Sequence, residues 1–205
     1  MGTGFSWLLW FVWFVSVGNV WTLLPSVWGL LIMSQIKANI SRTIILNDVE
    51  QRLVTYISRQ KERHYEAHNI QPILHTHRTA DRYQHYIQAF GAEFAFCILH
   101  NVYPPTDIVE FNEWDVIVPN VGNVDIKSTE LLDGRLIINK KKANTKANAF
   151  ALMVGTYPRY VFGGWMWVND AIKKHHLKDL GHGPCYAIDQ ERLNRDLMIL
   201  WRTKH

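Results

Sequence analysis

Two charged residues near the middle of the chain, Asp125 and Lys127, have the types and spacing that metal-assisted chemistry uses. They stand two residues apart in a β-rich run, residues 124–128, so both side chains should project from the same face of a strand. A carboxylate can hold a divalent cation, and an ammonium beside it can stabilise negative charge that develops on a substrate. The same spacing also suits an ordinary ion pair on a solvated strand face, so the pair alone leaves both interpretations open.

A second acid, Asp115, favours the catalytic interpretation. It lies in another β-rich run, residues 114–118, and the three residues 119–121 (Pro-Asn-Val) predict a tight connection between the two runs. With a loop of that length, Asp115 should lie directly opposite Asp125 in a hairpin. Like charges that face each other on a sheet destabilise it, and a bound divalent cation would relieve the repulsion. A set of oxygen ligands suits Mg²⁺ or Mn²⁺.

A third acid, Glu93, lies on a segment with helical periodicity. The spacing predicts one long amphipathic helix over residues 79–100, ended by Pro104-Pro105. Its apolar stripe consists of Tyr83, Ile87, Phe90, Phe94 and Ile98. Glu93 falls at the edge of this stripe, beside Tyr86 and Cys97, where a carboxylate is costly unless it has a partner. We therefore expect Glu93 to point at the same cation, although a surface acid at the edge of the stripe is the alternative.

The remaining segments predict the frame that positions these residues. The predicted elements are a helix over 45–64 with Asn47 or Asp48 as its cap, a tight turn at Asp133-Gly134 before a strand at 135–138, a short helix within 139–148, strands at 150–154, 159–168 and 185–188, and a last helix from Asp189 that carries Arg192 and Arg195. This order predicts an α/β fold with a mixed β-sheet flanked by helices.

Taken in order, Glu93, Asp115 and the run Asp125-Ile126-Lys127 resemble the PD-(D/E)xK nuclease superfamily, whose fold is restriction-endonuclease-like. The segment Phe90-Gly-Ala-Glu-Phe-Ala-Phe96 is similar to the glycine–acid turn of the phage and Holliday-junction-resolvase branches. The resemblance covers about residues 79–168. One departure is Trp114, which stands where the motif has proline before the first aspartate.

The resemblance implies a catalytic group of Glu93, Asp115, Asp125 and Lys127. Asp115, Asp125 and the main-chain carbonyl of Ile126 would bind Mg²⁺ (or Mn²⁺), and Glu93 would hold a metal-bound water or a second ion. Lys127 would orient the attacking water and stabilise the developing charge. The implied reaction is hydrolysis of a DNA phosphodiester bond without a covalent intermediate. Many enzymes of this kind act as homodimers.

A basic stretch after the acid cluster contains Lys140, Lys141, Lys142 and Lys146. Lysines there could contact DNA backbone phosphates, which is a salt-sensitive and sequence-independent role, or they could be an ordinary solvated face. Two rivals to a DNA endonuclease stay open. One is a non-catalytic nucleic-acid-binding or membrane-tethered protein of the same fold, and the other is a nuclease that acts on RNA or branched DNA.

Composition limits the other classes of protein. The chain has 205 residues, 48% of them hydrophobic, and a net charge of +4, which permits a polyanionic partner without requiring one. The two cysteines, Cys97 and Cys185, lie far apart with no CxxC pair. This excludes a zinc ribbon and argues against a disulfide scaffold, so a reducing cytoplasmic setting fits best.

The first 33 residues differ from the rest, because they contain no Asp, Glu, Lys, Arg or His and hold five of the nine Trp. Such a run is long enough to cross a bilayer as a helix, which would leave the nuclease domain in the cytoplasm. Gly18-Asn19 and Pro25 interrupt it, and the sequence from Met33 looks like an ordinary protein start. Residues 1–33 are therefore either a membrane anchor or a mis-called upstream start. Residues 34–205 are predicted to be the nuclease domain.

Overall fold

The computed structural model describes residues 14–16, 21–23, 42–68, 79–104, 106, 114–181 and 183–198. The chain divides into two units, residues 1–41 and 42–205, and each is treated by itself. The boundary predicted between residues 33 and 34 lies outside the described residues.

In the first unit two short strands, β1 (Phe14–Ser16) and β2 (Trp21–Leu23), pair antiparallel. These residues form extended strands, whereas the apolar sequence also allowed them to belong to a membrane helix. The other residues of the predicted segment 1–33 are outside the described part. Within the described part of the chain, no helix combines the length and the apolar character that crossing a membrane needs.

The second unit is a mixed α/β structure. Its elements are β3 (Thr43–Ile45), α1 (Asp48–Ala67), α2 (Thr79–His100), β4 (Val116–Val118), β5 (Gly122–Thr129), β6 (Leu136–Asn139), β7 (Ala149–Thr156), β8 (Arg159–Trp167), α3 (Val168–Ala171), β9 (Leu177–Asp179) and β10 (Pro184–Ile188). Short 3-10 helices span Lys140–Asn144, Lys174–His176 and Gln190–Arg192. The predicted α/β class with a mixed sheet is confirmed.

Five strands form the main sheet in the order β3-β8-β7-β5-β4. The pair β5–β7 is parallel, and the other three pairs are antiparallel. A second, antiparallel sheet has the order β6-β10-β9. The parallel pair needs a crossover, and the chain makes it through β6 and the 3-10 helix Lys140–Asn144.

The two faces of the main sheet are buried against different layers. Val124 and Ile126 of β5 belong to a core that includes buried residues of α1 and α2. Phe150 and Leu152 of β7 belong to a second core, which includes buried residues of β6 and β10. Because side chains alternate along a strand, Asp125 and Lys127 project from the same face as Phe150 and Leu152, their register partners in β7.

Helix α1 begins at a capping box. The Asn47 side chain accepts hydrogen bonds from the main-chain N–H groups of Val49 and Glu50, at 2.9 and 3.0 Å, and Glu50 Oε2 accepts one from Asn47 N–H at 2.7 Å. Asn47 is therefore the cap, not Asp48. The prediction of a helix over 45–64 began too early, because Ile45 pairs with Arg159 in the sheet as the last residue of β3.

Helix α2 has the predicted bounds, Thr79–His100. It ends before the two prolines, because Asn101 adopts a left-handed conformation (φ 51°) and Val102 N–H donates to Cys97 O at 3.0 Å. This is the hydrogen bond of a Schellman ending, for which asparagine is one of the favoured residues. The predicted end of the helix is therefore confirmed, but its cause is this ending at Asn101 and Val102 and not the following prolines.

The tight turn predicted at Asp133-Gly134 is confirmed, because Gly134 N–H donates to Leu131 O at 2.9 Å, and the strand after it, β6, pairs with β10 of the second sheet. One further prediction needs correction. The predicted last helix is a single 3-10 turn, Gln190–Arg192. The chain cannot continue as a helix because Asn194 forms a two-way main-chain bridge with Trp165 of β8 at 2.8 and 2.9 Å.

Candidate active site

The predicted hairpin is present as β4 and β5. Its connection is the three residues between Val118 and Gly122, in which Asn120 has φ 63° and Val121 N–H donates to Val118 O at 3.1 Å. Val116 is paired with Val124, and Asp115 lies in the bend just before this last pair, so the ladder does not include the directly opposite pairing of Asp115 with Asp125 that the loop length predicts. The hairpin nevertheless brings the two acids close together, because the charge of Asp125 raises the pKa of Asp115.

Asp115 also continues the hairpin beyond its last paired residue. Its Oδ2 accepts the main-chain N–H of Ile126 at 2.5 Å, and its own N–H donates to Val124 O at 2.9 Å. The Asp115 carboxylate thus accepts the Ile126 N–H group of β5, which no residue of β4 accepts. This bond holds Asp115 beside the segment Asp125-Ile126-Lys127.

Asp125 is the most enclosed acid of the group, with a side chain only 1% exposed. Lys127 Nζ donates to its Oδ1 and Lys142 Nζ donates to its Oδ2, so each carboxylate oxygen has an ammonium partner. A buried charge needs such partners, because removal from water is otherwise costly. Lys142 reaches Asp125 because the 3-10 helix that carries it follows β6, which lies on the same face of the main sheet.

Glu93 is positioned by close packing of α2 against the turn between β7 and β8. A Cβ atom at Gly91 would lie 2.6 Å from Tyr160 Oη, so only glycine allows this approach. Gln88 fixes the contact further: its amide donates to Gly155 O at 2.8 Å and accepts from Tyr157 N–H at 2.9 Å. The glycine two residues before the glutamate therefore has a packing role that the sequence motif did not explain.

The electrostatics show that the acids act on one another. Burial and the charge of Asp115 raise the pKa of Glu93 to about 8. Burial and the charge of Asp125 likewise raise the pKa of Asp115. Burial by itself would lower the pKa of Lys127, but the neighbouring aspartates outweigh it and the net shift is upward. Lys127 is accordingly a cation at neutral pH, whereas Glu93 is largely protonated in the absence of a metal ion.

The structure adds Lys61, which no pattern in the sequence indicated. Its Nζ lies 4.8 Å from the centre of the Phe90 ring, one turn before Glu93, and its charge lowers the pKa of Glu93 against the larger effect of burial. The contact depends on how α1 packs on α2, and no local pattern reports it. Lys142 was predicted for phosphate contact only, and its bond to Asp125 was likewise missed.

The donor set fits a hard divalent cation in part. Asp115, Asp125 and the Ile126 carbonyl are oxygen donors of the kind that Mg²⁺ and Mn²⁺ take. Among the described residues, however, no three Asp, Glu, His or Cys side chains are grouped closely enough to hold a metal ion. The buried residues of α2, the helix that carries Glu93, pack on the face of the sheet opposite to Asp125.

The other predicted phosphate-binding lysines lie near the cluster in the chain. Lys140 and Lys141 are exposed on the 3-10 helix that also carries Lys142, and Lys146 is exposed just before β7. They form a basic surface within a few residues of a lysine that contacts Asp125. This neighbourhood is compatible with the predicted contact to backbone phosphates.

A separate concavity of about 660 Å³ lies along α1 and the β7–β8 turn, lined by Asp48, Gln51, Arg52, Thr55, Tyr56, Arg59 and Tyr157. It shares no residue with the acid cluster. The acid cluster therefore lies outside this cavity. It lies instead where β4 begins, because Asp115 directly precedes Val116.

No family model, no curated protein and no solved structure matches this chain. The resemblance to PD-(D/E)xK nucleases therefore depends on the quoted residues and on the hairpin that carries them.

Proposed function

We propose that the chain is a metal-dependent endonuclease of the PD-(D/E)xK type, with a restriction-endonuclease-like fold, and that it hydrolyses phosphodiester bonds in DNA. The observation that carries the proposal is the β4–β5 hairpin, which holds Asp115 against the Ile126 N–H group and beside Asp125, with Lys127 bonded to Asp125. Two acids this close to one another lower the stability of a hairpin unless positive groups compensate, and a divalent cation would add to the compensation that the lysines give. The order of α2, β4, β5 and the parallel strand β7 supports the same fold.

In this proposal Asp115, Asp125 and the Ile126 carbonyl hold Mg²⁺ or Mn²⁺. When bound, such an ion lowers the pKa of water and polarises the scissile phosphate. The hydrogen bond from Ile126 N–H to Asp115 orients that carboxylate and leaves its second oxygen for a ligand. The same peptide segment then presents Asp125 and the carbonyl from one stretch of rigid strand, which favours a fixed geometry.

Lys127 contributes charge in this mechanism. Its raised pKa keeps the ammonium protonated at neutral pH, so it donates hydrogen bonds and does not accept the proton of the attacking water. It is anchored on β5 two residues after Asp125, and it can face the phosphate from a fixed position. Developing negative charge on the phosphate oxygens is stabilised most by such a preorganised donor.

DNA is the proposed substrate, and a basic surface beside the acids suits a phosphate backbone. The same chemistry would serve on RNA or on branched DNA, which differ in shape and in the 2′-hydroxyl rather than in the phosphodiester bond. A homodimer would let two such sites act on two strands. A comparison of cleavage among these substrates separates the alternatives.

A second candidate is a non-catalytic nucleic-acid-binding protein of the same fold. The observation that favours it is the double ion pair on Asp125, because Lys127 and Lys142 already neutralise that carboxylate without a metal ion. In this case the acids would be structural and the basic surface would bind nucleic acid. The two candidates differ in whether the protein binds divalent cations and cleaves.

The deciding experiment is cleavage of supercoiled plasmid, linear duplex, junction DNA and RNA by the full chain, with Mg²⁺, Mn²⁺ or EDTA. Asp125→Asn keeps the size of the side chain and should lose both cleavage and metal binding. Lys127→Ala should keep metal binding and lose cleavage by about a thousandfold, a typical loss for one transition-state donor. The exposed Asp133→Asn is the matched control and should cleave normally.

Each variant is first shown to be folded by circular dichroism and urea unfolding. Metal-dependent cleavage that Asp125→Asn lacks would support the nuclease. If folded Asp125→Asn cleaves as well as the unchanged protein, the assignment of the site is wrong. Binding of nucleic acid without any cleavage would favour the second candidate.

A further inference from the structure

Lys142 is the feature that the proposed nuclease mechanism leaves unexplained. Its Nζ contacts Asp125 Oδ2, while Lys127 contacts the other oxygen of the same carboxylate. The Asp125 side chain is 1% exposed and the Lys142 side chain is 34% exposed. A lysine that is one-third open to solvent therefore reaches into an almost closed site to contact a proposed metal ligand.

The two lysines have similarly exposed side chains, 29% for Lys127 and 34% for Lys142, but they are carried by different backbone elements. Lys127 lies inside β5, which is paired with β7 through this residue, and its side chain leaves the strand on the same face as Asp125. Lys142 lies on a five-residue 3-10 helix in the crossover between β5 and β7, next to the exposed Lys140 and Lys141. Its long side chain can turn outward by rotation about its own bonds. Of the two ammonium groups, we therefore expect that of Lys142 to leave first.

The positive charge available to Asp125 determines when the Lys142 ammonium leaves. Asp125 needs a positive partner because it is buried, and in the absence of a metal ion Lys142 supplies part of that charge. A divalent cation on Asp125 would supply the charge more strongly and would repel an ammonium held at the same carboxylate. Three positive groups around one aspartate are unfavourable, so binding of the cation should displace the lysine that is less firmly held.

We propose that Lys142 is a built-in counter-ion of Asp125, that a divalent cation displaces it, and that the released ammonium then binds a backbone phosphate of the substrate. This proposal rests on the nuclease function proposed above and adds a coupling between its two ligands. Metal binding would therefore release the Lys142 ammonium to the surface that already carries the ammonium groups of Lys140 and Lys141. Nucleic acid should consequently bind more tightly to the metal-loaded protein.

The first test measures metal binding without nucleic acid. Ca²⁺ and Mn²⁺ are titrated into the full chain and into Lys142→Gln by calorimetry, after both are shown to be folded by urea unfolding. Without the competing Lys142 ammonium, either ion should bind about tenfold more tightly. Lys141→Gln is the control and should bind metal like the unchanged chain. Unchanged or weaker metal binding by folded Lys142→Gln would overturn the proposal.

The second test measures how the affinity for duplex DNA depends on salt, in Ca²⁺ and in EDTA. Each lysine that contacts a phosphate adds about one to the slope of log affinity against log salt. The unchanged chain should gain about one in slope when Ca²⁺ replaces EDTA, and Lys142→Gln should gain none. Lys141→Gln should have the same gain as the unchanged chain, from a lower starting slope.

The outcomes distinguish this proposal from the nuclease function itself. Equal slopes in Ca²⁺ and EDTA, with DNA bound in both, would refute the release of Lys142 and leave the nuclease proposal standing. Absence of DNA binding under both conditions would contradict the nuclease function on DNA and the phosphate contact of Lys142 together. The metal titration would still decide whether Lys142 competes with the cation for Asp125.

Discussion

Replacement of Glu93 by glutamine should remove a pH-dependent loss of stability from the metal-free protein. Burial and the nearby charge of Asp115 raise the pKa of Glu93 from 4.5 to about 8. A carboxyl group whose pKa is higher in the folded state binds more protons there than in the unfolded chain. Stability therefore falls as pH rises between the two pKa values. Glutamine has nearly the same size and cannot ionise, so it keeps the neutral state at every pH.

The magnitude follows from the pKa values of Glu93 in the unfolded and folded states. A tenfold change in a proton-binding constant corresponds to about 1.4 kcal/mol, and the linkage relation gives a loss of about 3 kcal/mol between about pH 5.5 and about pH 8.5. Asp115 titrates together with Glu93, so the transition belongs to the pair and is broader than that of a lone group. A loss of this size is a large fraction of the free energy of unfolding of a typical domain.

The assay is urea unfolding in EDTA at several pH values across this range, with the unchanged chain, Glu93→Gln and the control Glu66→Gln. Glu66 is exposed on α1, and its replacement removes one carboxylate without changing the buried charge. The unchanged chain and the control should lose stability in parallel as pH rises, while Glu93→Gln should lose about 3 kcal/mol less. If all three proteins follow the same pH dependence, Glu93 is not held in the buried, acid-rich environment that the structure shows.

Two further predictions concern the packing that positions Glu93 and the loss of folded-state stability at acidic pH. Gly91→Val should lower the free energy of unfolding by about 3 kcal/mol, because its Cβ would lie 2.6 Å from the buried Tyr160 hydroxyl. Urea unfolding measures this loss, and an effect below about 0.5 kcal/mol would contradict the close approach. Burial lowers the pKa of His100 to about 4, so the folded state resists its protonation and loses stability as pH falls from about 6.5 toward 4. His100→Phe should abolish about 2.5 kcal/mol of that loss at about pH 4.5, and a thermal unfolding series that shows no difference from the unchanged chain would contradict it.

Local patterns predicted the elements of the site well, for identifiable reasons. Helix α2 follows from a long apolar repeat at helical spacing, and its predicted bounds match the structure. The closeness of Asp115 to Asp125 follows from the length of one loop, because a connection of three residues determines the register of the hairpin up to the pair Val116–Val124. Both inferences use residues that are close in sequence, where the geometry of a single element or turn decides the result.

The features that were missed depend on contacts between distant segments. Lys61 lies over the Phe90 ring and lowers the pKa of Glu93 because α1 packs on α2, and Lys142 reaches Asp125 because β6 crosses to the second sheet. The Asp-Gly signal before β6 reports a turn but not which strand the next segment joins. Gln190 helps to decide that choice, since its side chain donates to Leu132 O and Gly134 O and holds this turn beside the segment after β10.

Contacts within the protein give each of the two neighbouring aspartates a partner. Asp125 has Lys127 and Lys142, and Asp115 has the N–H group of Ile126, although burial and the charge of Asp125 still raise the pKa of Asp115. The metal-free chain should therefore fold, and any requirement for a divalent cation belongs to the reaction and not to the fold. Removal of Lys142 takes away one compensating charge, after which a divalent cation should stabilise the folded state more than it stabilises the unchanged chain. A purely structural cluster, in which no cation ever replaces the lysine, would show no such difference.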